Sequence, residues 1–114
     1  DRIEKAIMYI KEAKGNVKMQ EVAQRVHLSD RQFQRLFKTK TGYTPKEYGQ
    51  VIRFRIALIE LFFEEQNYQD VVFENGYFDQ SHLFKDFYKL LEQSPEQFKR
   101  YINQIEHLLL TTIS

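Results

Sequence analysis

The chain repeats itself. Phe33, Phe37, Thr44, Pro45 and Tyr48 are matched fifty positions later by Leu83, Phe87, Ser94, Pro95 and Phe98. Upstream the offset slips to forty-nine, pairing Val22 and Ala23 with Val71 and Val72, as though the second copy carried one extra residue inside its turn. Each copy reads as a short helix, a tight turn, a longer helix and a further helix that opens on proline. Two copies of so particular a pattern are hard to obtain by chance, and any fold for this chain has to accommodate both.

The rest of the sequence is helical in spacing. With two prolines, four glycines and apolar residues recurring at intervals of three and four, the 114 residues predict an all-α domain without a sheet. Three capping boxes mark helix starts: Ser29 with Gln32, Thr44 with Glu47 and Ser94 with Gln97. Pro45 and Pro95 follow their caps at the first helical position, where a missing N–H costs nothing. Seven helices are expected, at about 2–14, 18–26, 29–41, 44–65, 69–75, 79–91 and 95–105, with Gly15-Asn16 and Gly42 ending the first and third. Gly49 should weaken the fourth by about 1 kcal/mol, so packing of Ile52, Ile56, Ile59 and Phe63 is expected to hold that helix. The repeated unit has the size of a helix-turn-helix. The chain therefore reads as two such motifs, about 18–41 and 69–91, joined by a long linker helix within one domain over about 1–104, with 105–114 a helix end or tail.

Composition narrows the function. Hydrophobic residues make up 42% of the chain, enough to build a core. The absence of cysteine excludes disulfides and thiolate metal sites and suggests a reducing, cytoplasmic setting. The longest apolar run is too short to cross a bilayer, so no membrane partner is expected, and the charged first residues are not arranged as a signal peptide. Starting at Asp1 without Met, the chain is expected to be a fragment of something larger. A net charge of +1 hides a lopsided distribution. Ser29 to Arg55 carries seven basic residues against two acidic, whereas Ile56 to Phe84 carries six acidic and no basic ones.

On the predicted helix 29–41, Phe33, Leu36 and Phe37 form an inward stripe, and Arg31, Gln34, Arg35 and Lys38 follow the same spacing on the other face. In a helix-turn-helix the second helix enters the major groove of DNA, where Arg pairs with guanine and Gln with adenine. Arg31, Gln34 and Arg35 suit base edges; Lys38, Lys40 and Lys46 suit phosphates. A linker of about 22 residues, roughly 33 Å long, would match one DNA turn of roughly 34 Å. The second copy offers Ser81, Phe84, Lys85 and Tyr88, with Gln80 and His82 near the start, and only Lys85 is basic. Phe84 could pack on a thymine methyl or against protein. His27, His82 and His107 lie on separate predicted elements and are not spaced as a metal site. Without a phosphate loop, nucleophile elbow or paired carboxylates, neither an enzyme nor a cofactor is expected, and Glu64-Glu65 reads as capping the end of a helix.

The stretch from Gly76 to Leu83, followed by Phe87, Ser94-Pro95 and Phe98, resembles the signature of the AraC/XylS family of transcription regulators. Arg53 to Leu61, with Ala57 in a small position, is similar to that family's linker helix. The resemblance runs from about Asp1 to Gln104. It implies a C-terminal DNA-binding domain whose two recognition helices enter adjacent major-groove segments of duplex DNA, and a sensor or oligomerisation domain upstream. By position, base contacts would fall to Arg31, Gln34 and Arg35, then to Gln80, Ser81, His82 and Lys85. Five residues depart from the pattern. His27 and Glu92 stand where glycine is common and would call for a different backbone; Val72 replaces a small residue, Asp86 an apolar one and Tyr88 a basic one. The rival reading is a helical interaction module whose acidic half docks on RNA polymerase or its own sensor domain. The run Ile105 to Leu110 could serve that docking, although packing of a last helix on the core, or a frayed end, is the plainer account.

Overall fold

The computed structural model describes the backbone of residues 1–113 and side chains through Thr111. Seven helices follow in order: α1 (Arg2–Glu12), α2 (Met19–Arg25), α3 (Asp30–Thr41), α4 (Pro45–Phe62), α5 (Tyr68–Glu74), α6 (Gln80–Leu91) and α7 (Pro95–Ile113). No strand occurs among the described residues.

Local signals fix most of the helix starts. All three capping boxes form: Ser29, Thr44 and Ser94 accept from the backbone N–H three residues on at 3.1–3.2 Å, and the Gln or Glu there reaches back to the cap. Asp79 caps α6 by accepting from the His82 N–H at 3.0 Å. The two copies also share their turns. His27 (φ 59°) and Gly76 (φ 72°) are left-handed. Leu28 N–H donates to the Ala23 carbonyl at 3.0 Å, and Tyr77 N–H to the Val72 carbonyl at 3.1 Å. The forty-nine offset thus persists through Leu28 and Tyr77, and the fifty offset resumes at Ser29 and Asp79. The extra residue is Phe78.

Each copy owns a core. Ile3, Ala6 and Ile10 of α1 pack with Val22, Ala23, Val26, Phe33 and Phe37; Phe54 and Ala57 of α4 pack with Val71, Tyr77, Leu83 and Phe87. Equivalent rings meet edge to face, Phe37 with Tyr48 at 5.4 Å and Phe87 with Phe98 at 6.2 Å. Helix α4 belongs to both cores, with Tyr48 and Ile52 on the first and Phe54, Ala57, Leu58, Leu61 and Phe62 on the second.

That double duty corrects the expected packing of the linker. Ile59 is 41% and Phe63 66% exposed, because a single helical stripe can face only one core. Residues 52 and 54 stand about 200° apart around a helix and so serve opposite sides. The helix also ends early, at Phe62, so its 18 residues span about 27 Å. Glu65 turns left-handed (φ 55°) just beyond, and the segment closes the helix end, Glu64 N–H donating to the Ile59 carbonyl at 3.0 Å and Gln66 N–H to the Glu60 carbonyl at 2.9 Å. Leu36, 36% exposed, lies at the margin of the inward stripe. His27 and Glu92 (φ 59° and 56°) adopt the left-handed backbone that glycine commonly takes, so neither calls for a different conformation. At the far end α7 continues to Ile113, and Leu108, Leu109 and Leu110 are 56–64% exposed along it instead of frayed or packed on the core.

Gly15, where the chain crosses Gly49, turns out to be a requirement. The α1–α2 turn crosses α4 so closely that a Cβ on Gly15 (φ +79°) would lie 2.3 Å from the Gly49 carbonyl oxygen, and one on Gly49 would lie 2.7 Å from Met19 Cε. Gly42 (φ +83°) has open space around it. Urea denaturation should therefore separate the two glycines. Gly42→Ala is expected to lose about 1 kcal/mol from backbone strain alone, and Gly15→Ala roughly 3 kcal/mol or more, because strain and overlap add.

Candidate nucleic-acid interface

Buried Phe33 and Phe37 hold one side of α3 in the first core, which turns Arg31, Gln34, Arg35 and Lys38 outward, all four exposed. None of them takes part in the ion pairs found among the described residues. This edge therefore offers two guanidiniums, an amide and an ammonium to an external partner with no internal bond to break. Lys46 is exposed in the first turn of α4. Lys40 differs. Its ammonium pairs with the Asp1 carboxylate and lies 3.4 Å from Glu4, where a phosphate would compete with two carboxylates.

On α6, Gln80, Ser81, His82, Lys85 and Tyr88 are exposed, while Leu83 and Phe87 are buried. His82 is already engaged: its Nδ1 lies 2.8 Å from Asp79 Oδ1, and hydrogen bonding from His82 lowers the Asp79 pKa. Phe84 leaves the outward stripe. It is half-buried with its ring 5.4 Å from Tyr68 and 6.5 Å from Phe87, so it packs on protein. His27 and His107 are exposed on other elements, and no group of three potential metal ligands comes together among the described residues. No helix there is long and apolar enough to cross a membrane.

A polar lock beneath α6 escaped the sequence reading. Asp86 is buried, accepts from Tyr77 Oη at 2.7 Å and lies 3.6 Å from Arg53 Nη2. The Arg53 guanidinium stacks over the Tyr77 ring at 4.2 Å. Burial, and then the Asp86 carboxylate, push the Tyr77 phenol well above its ordinary pKa of 10.0. Nearby, buried Asn75 donates to Glu60 at 2.8 Å and to the Val71 carbonyl at 2.9 Å. The Asn75 carbonyl accepts from Asn16 Nδ2 at 2.9 Å, a bond spanning 59 positions that ties one copy to the other. Lys89 reaches Gln50 at 3.0 Å. Four ties thus anchor the α5–α6 pair to α4 and to the α1–α2 turn. The one hint in the sequence was Asp86, conspicuous as a charge at an apolar position.

Among families of known proteins, one described as a helix-turn-helix domain matches residues 22–101. No curated protein matches the chain. The matched span runs from the buried Val22 of α2 to Tyr101 of α7, and so takes in most of the first motif, the linker and the second motif.

The lock makes two stability predictions. Asp86→Ala leaves Arg53 without its carboxylate in a mostly buried site and should cost roughly 3 kcal/mol in urea denaturation. Tyr77 is neutral in the folded chain with a raised pKa, so its contribution is complete below the unfolded value near pH 10 and is lost as pH climbs beyond it. Stability above about pH 10 should accordingly fall more steeply in the native chain than in Tyr77→Phe.

Proposed function

The chain belongs to the AraC-type helix-turn-helix family of DNA-binding transcription regulators, and from that premise we propose that it reads duplex DNA by sequence, α3 and α6 entering successive major-groove segments. The outward edge of α3 carries this reading: Arg31, Gln34, Arg35 and Lys38 project from a helix whose opposite side is locked in the core. Arg31 and Arg35 offer bidentate donors to guanine and Gln34 an amide to adenine, while Lys38 and Lys46 face the phosphates and Lys40 joins them on exchanging Asp1 and Glu4 for a phosphate. Gln80, Ser81, His82 and Lys85 supply the second segment. Helix α4, which joins the two motifs, spans about 27 Å against a duplex turn of roughly 34 Å. In this role the chain is non-enzymatic and acts where chromosomal DNA lies, in the cytoplasm.

A second use of the fold draws on α7, where Tyr101, Ile105, Leu109 and Leu110 are 36–64% exposed. Such a face suits docking on polymerase or on an upstream sensor domain, with weakened DNA binding. Mobility-shift titration divides the two readings. Salt-sensitive binding with a preferred site supports the regulator, and no duplex binding even at low salt supports the docking module.

Two substitutions probe the assignments. Arg35→Ala should cost about 1–3 kcal/mol in affinity and relax preference at one or two base pairs. Lys38→Ala should weaken all sequences alike and lower the slope of log affinity against log salt by about one unit.

A further inference from the structure

The one residue by which the second copy exceeds the first is Phe78, which is 87% exposed. It stands directly before the Asp79 cap, at the N-terminal end of α6, and its ring lies 5.6 Å from that of His82. Recognition helices present this end to the base edges. A hollow of about 240 Å³ opens here, lined by Val72, Phe73, Tyr77, Phe78 and the amides Gln69 and Gln80 among others, so that apolar rings and amides share the same wall.

The copies differ in what they can say to a base. The positions of Arg31, Gln34 and Arg35 are taken fifty residues later by Ser81, Phe84 and Lys85. Phe84 is turned inward onto Tyr68, which leaves the second edge with Lys85 as its one flexible cation and an unburied phenylalanine beside it. Water is a poor partner for that ring. The apolar feature of the major groove is the thymine C5-methyl, and the base opposite thymine is adenine, which glutamine recognises through N6 and N7.

We propose that Phe78 and Gln80 together make the second motif a reader of thymine–adenine pairs, the ring covering the thymine methyl and the amide engaging adenine. This rests on the duplex-DNA reading above. The first motif then selects by cationic hydrogen bonding and the second by apolar contact, which fits the acidic surroundings of α6 because a methyl contact needs no positive charge.

The test starts from the site selected out of random duplexes by this chain. Thymines in the segment opposite α6 are replaced one at a time by uracil, which lacks only the methyl. Binding should weaken about four-fold at the contacted position, the value of one buried methyl. Phe78→Ser, at a fully exposed position and checked for helicity by circular dichroism, should bind the thymine and uracil duplexes equally. Lys85→Ala should weaken both yet keep the discrimination. Equal binding of both duplexes by the native chain, or discrimination that survives Phe78→Ser, overturns the inference while leaving DNA reading intact. Failure to select any duplex overturns the DNA reading itself, and the inference with it.

Discussion

Helix α4 has to satisfy two hydrophobic cores from opposite sides, and the rest of the molecule is arranged around that demand. Tyr48 and Ile52 face the first core while Phe54 and Ala57 face the second. A helix used twice in this way cannot rotate to improve one interface without spoiling the other, because side chains about 200° apart move together. The close crossing at Gly15 and Gly49 adds a steric stop, since a Cβ on Gly15 would overlap the Gly49 carbonyl. Rotation of α4 is therefore blocked, and α3 and α6, each packed against it, inherit a fixed relation.

The two copies reach that relation by different chemistry. In the first, α1 supplies Ile3, Ala6 and Ile10, so apolar burial dominates. In the second, the C-terminal half of α4 takes the role of α1, and the polar groups Arg53, Asp86, Tyr77, Asn75 and Asn16 do much of the orienting. Hydrogen bonds constrain direction more sharply than apolar contact does. Asp86 at an apolar position thus serves geometry; desolvation of the pair offsets much of its attraction, so its net contribution to stability is modest even though loss of one partner is costly.

Much of the fold was legible in the sequence because its signals are local. The capping boxes at Ser29, Thr44 and Ser94, the prolines after two of them and the fifty-residue repeat all act within a few positions of where they are read. The faces of α4 were not legible, since a search for one stripe picked Ile59 and Phe63 and missed Phe54, whose partner Phe87 lies 33 positions away. The end of α4 was misplaced because the apolar run continues to Phe63 after the backbone has left the helix. Likewise the repeat located the slip within the turn but could not name Phe78 as the extra residue until the paired hydrogen bonds of Leu28 and Tyr77 were seen. Lys40 looked equivalent to Lys38 on charge, and only the fold brings Asp1 and Glu4 beside it.

The charge imbalance acquires a meaning from this arrangement. A polyanion approaching the chain meets attraction at α3 and α4, with seven basic residues between Ser29 and Arg55, and repulsion around α5, where Ile56 to Phe84 carry six acidic residues. On the proposed reading, such a field would orient the encounter, placing the first motif before the second. With α3 seated, α4 would deliver α6 at a set distance, so the second motif would need no long-range attraction of its own and could use contacts that act only at van der Waals range. Exposed Phe78 and half-buried Phe84 are consistent with that division, because steering and discrimination then fall to different halves of one rigid body. An acidic second copy is in this view compatible with DNA reading, provided the linker and the polar lock hold α6 in place when α3 arrives.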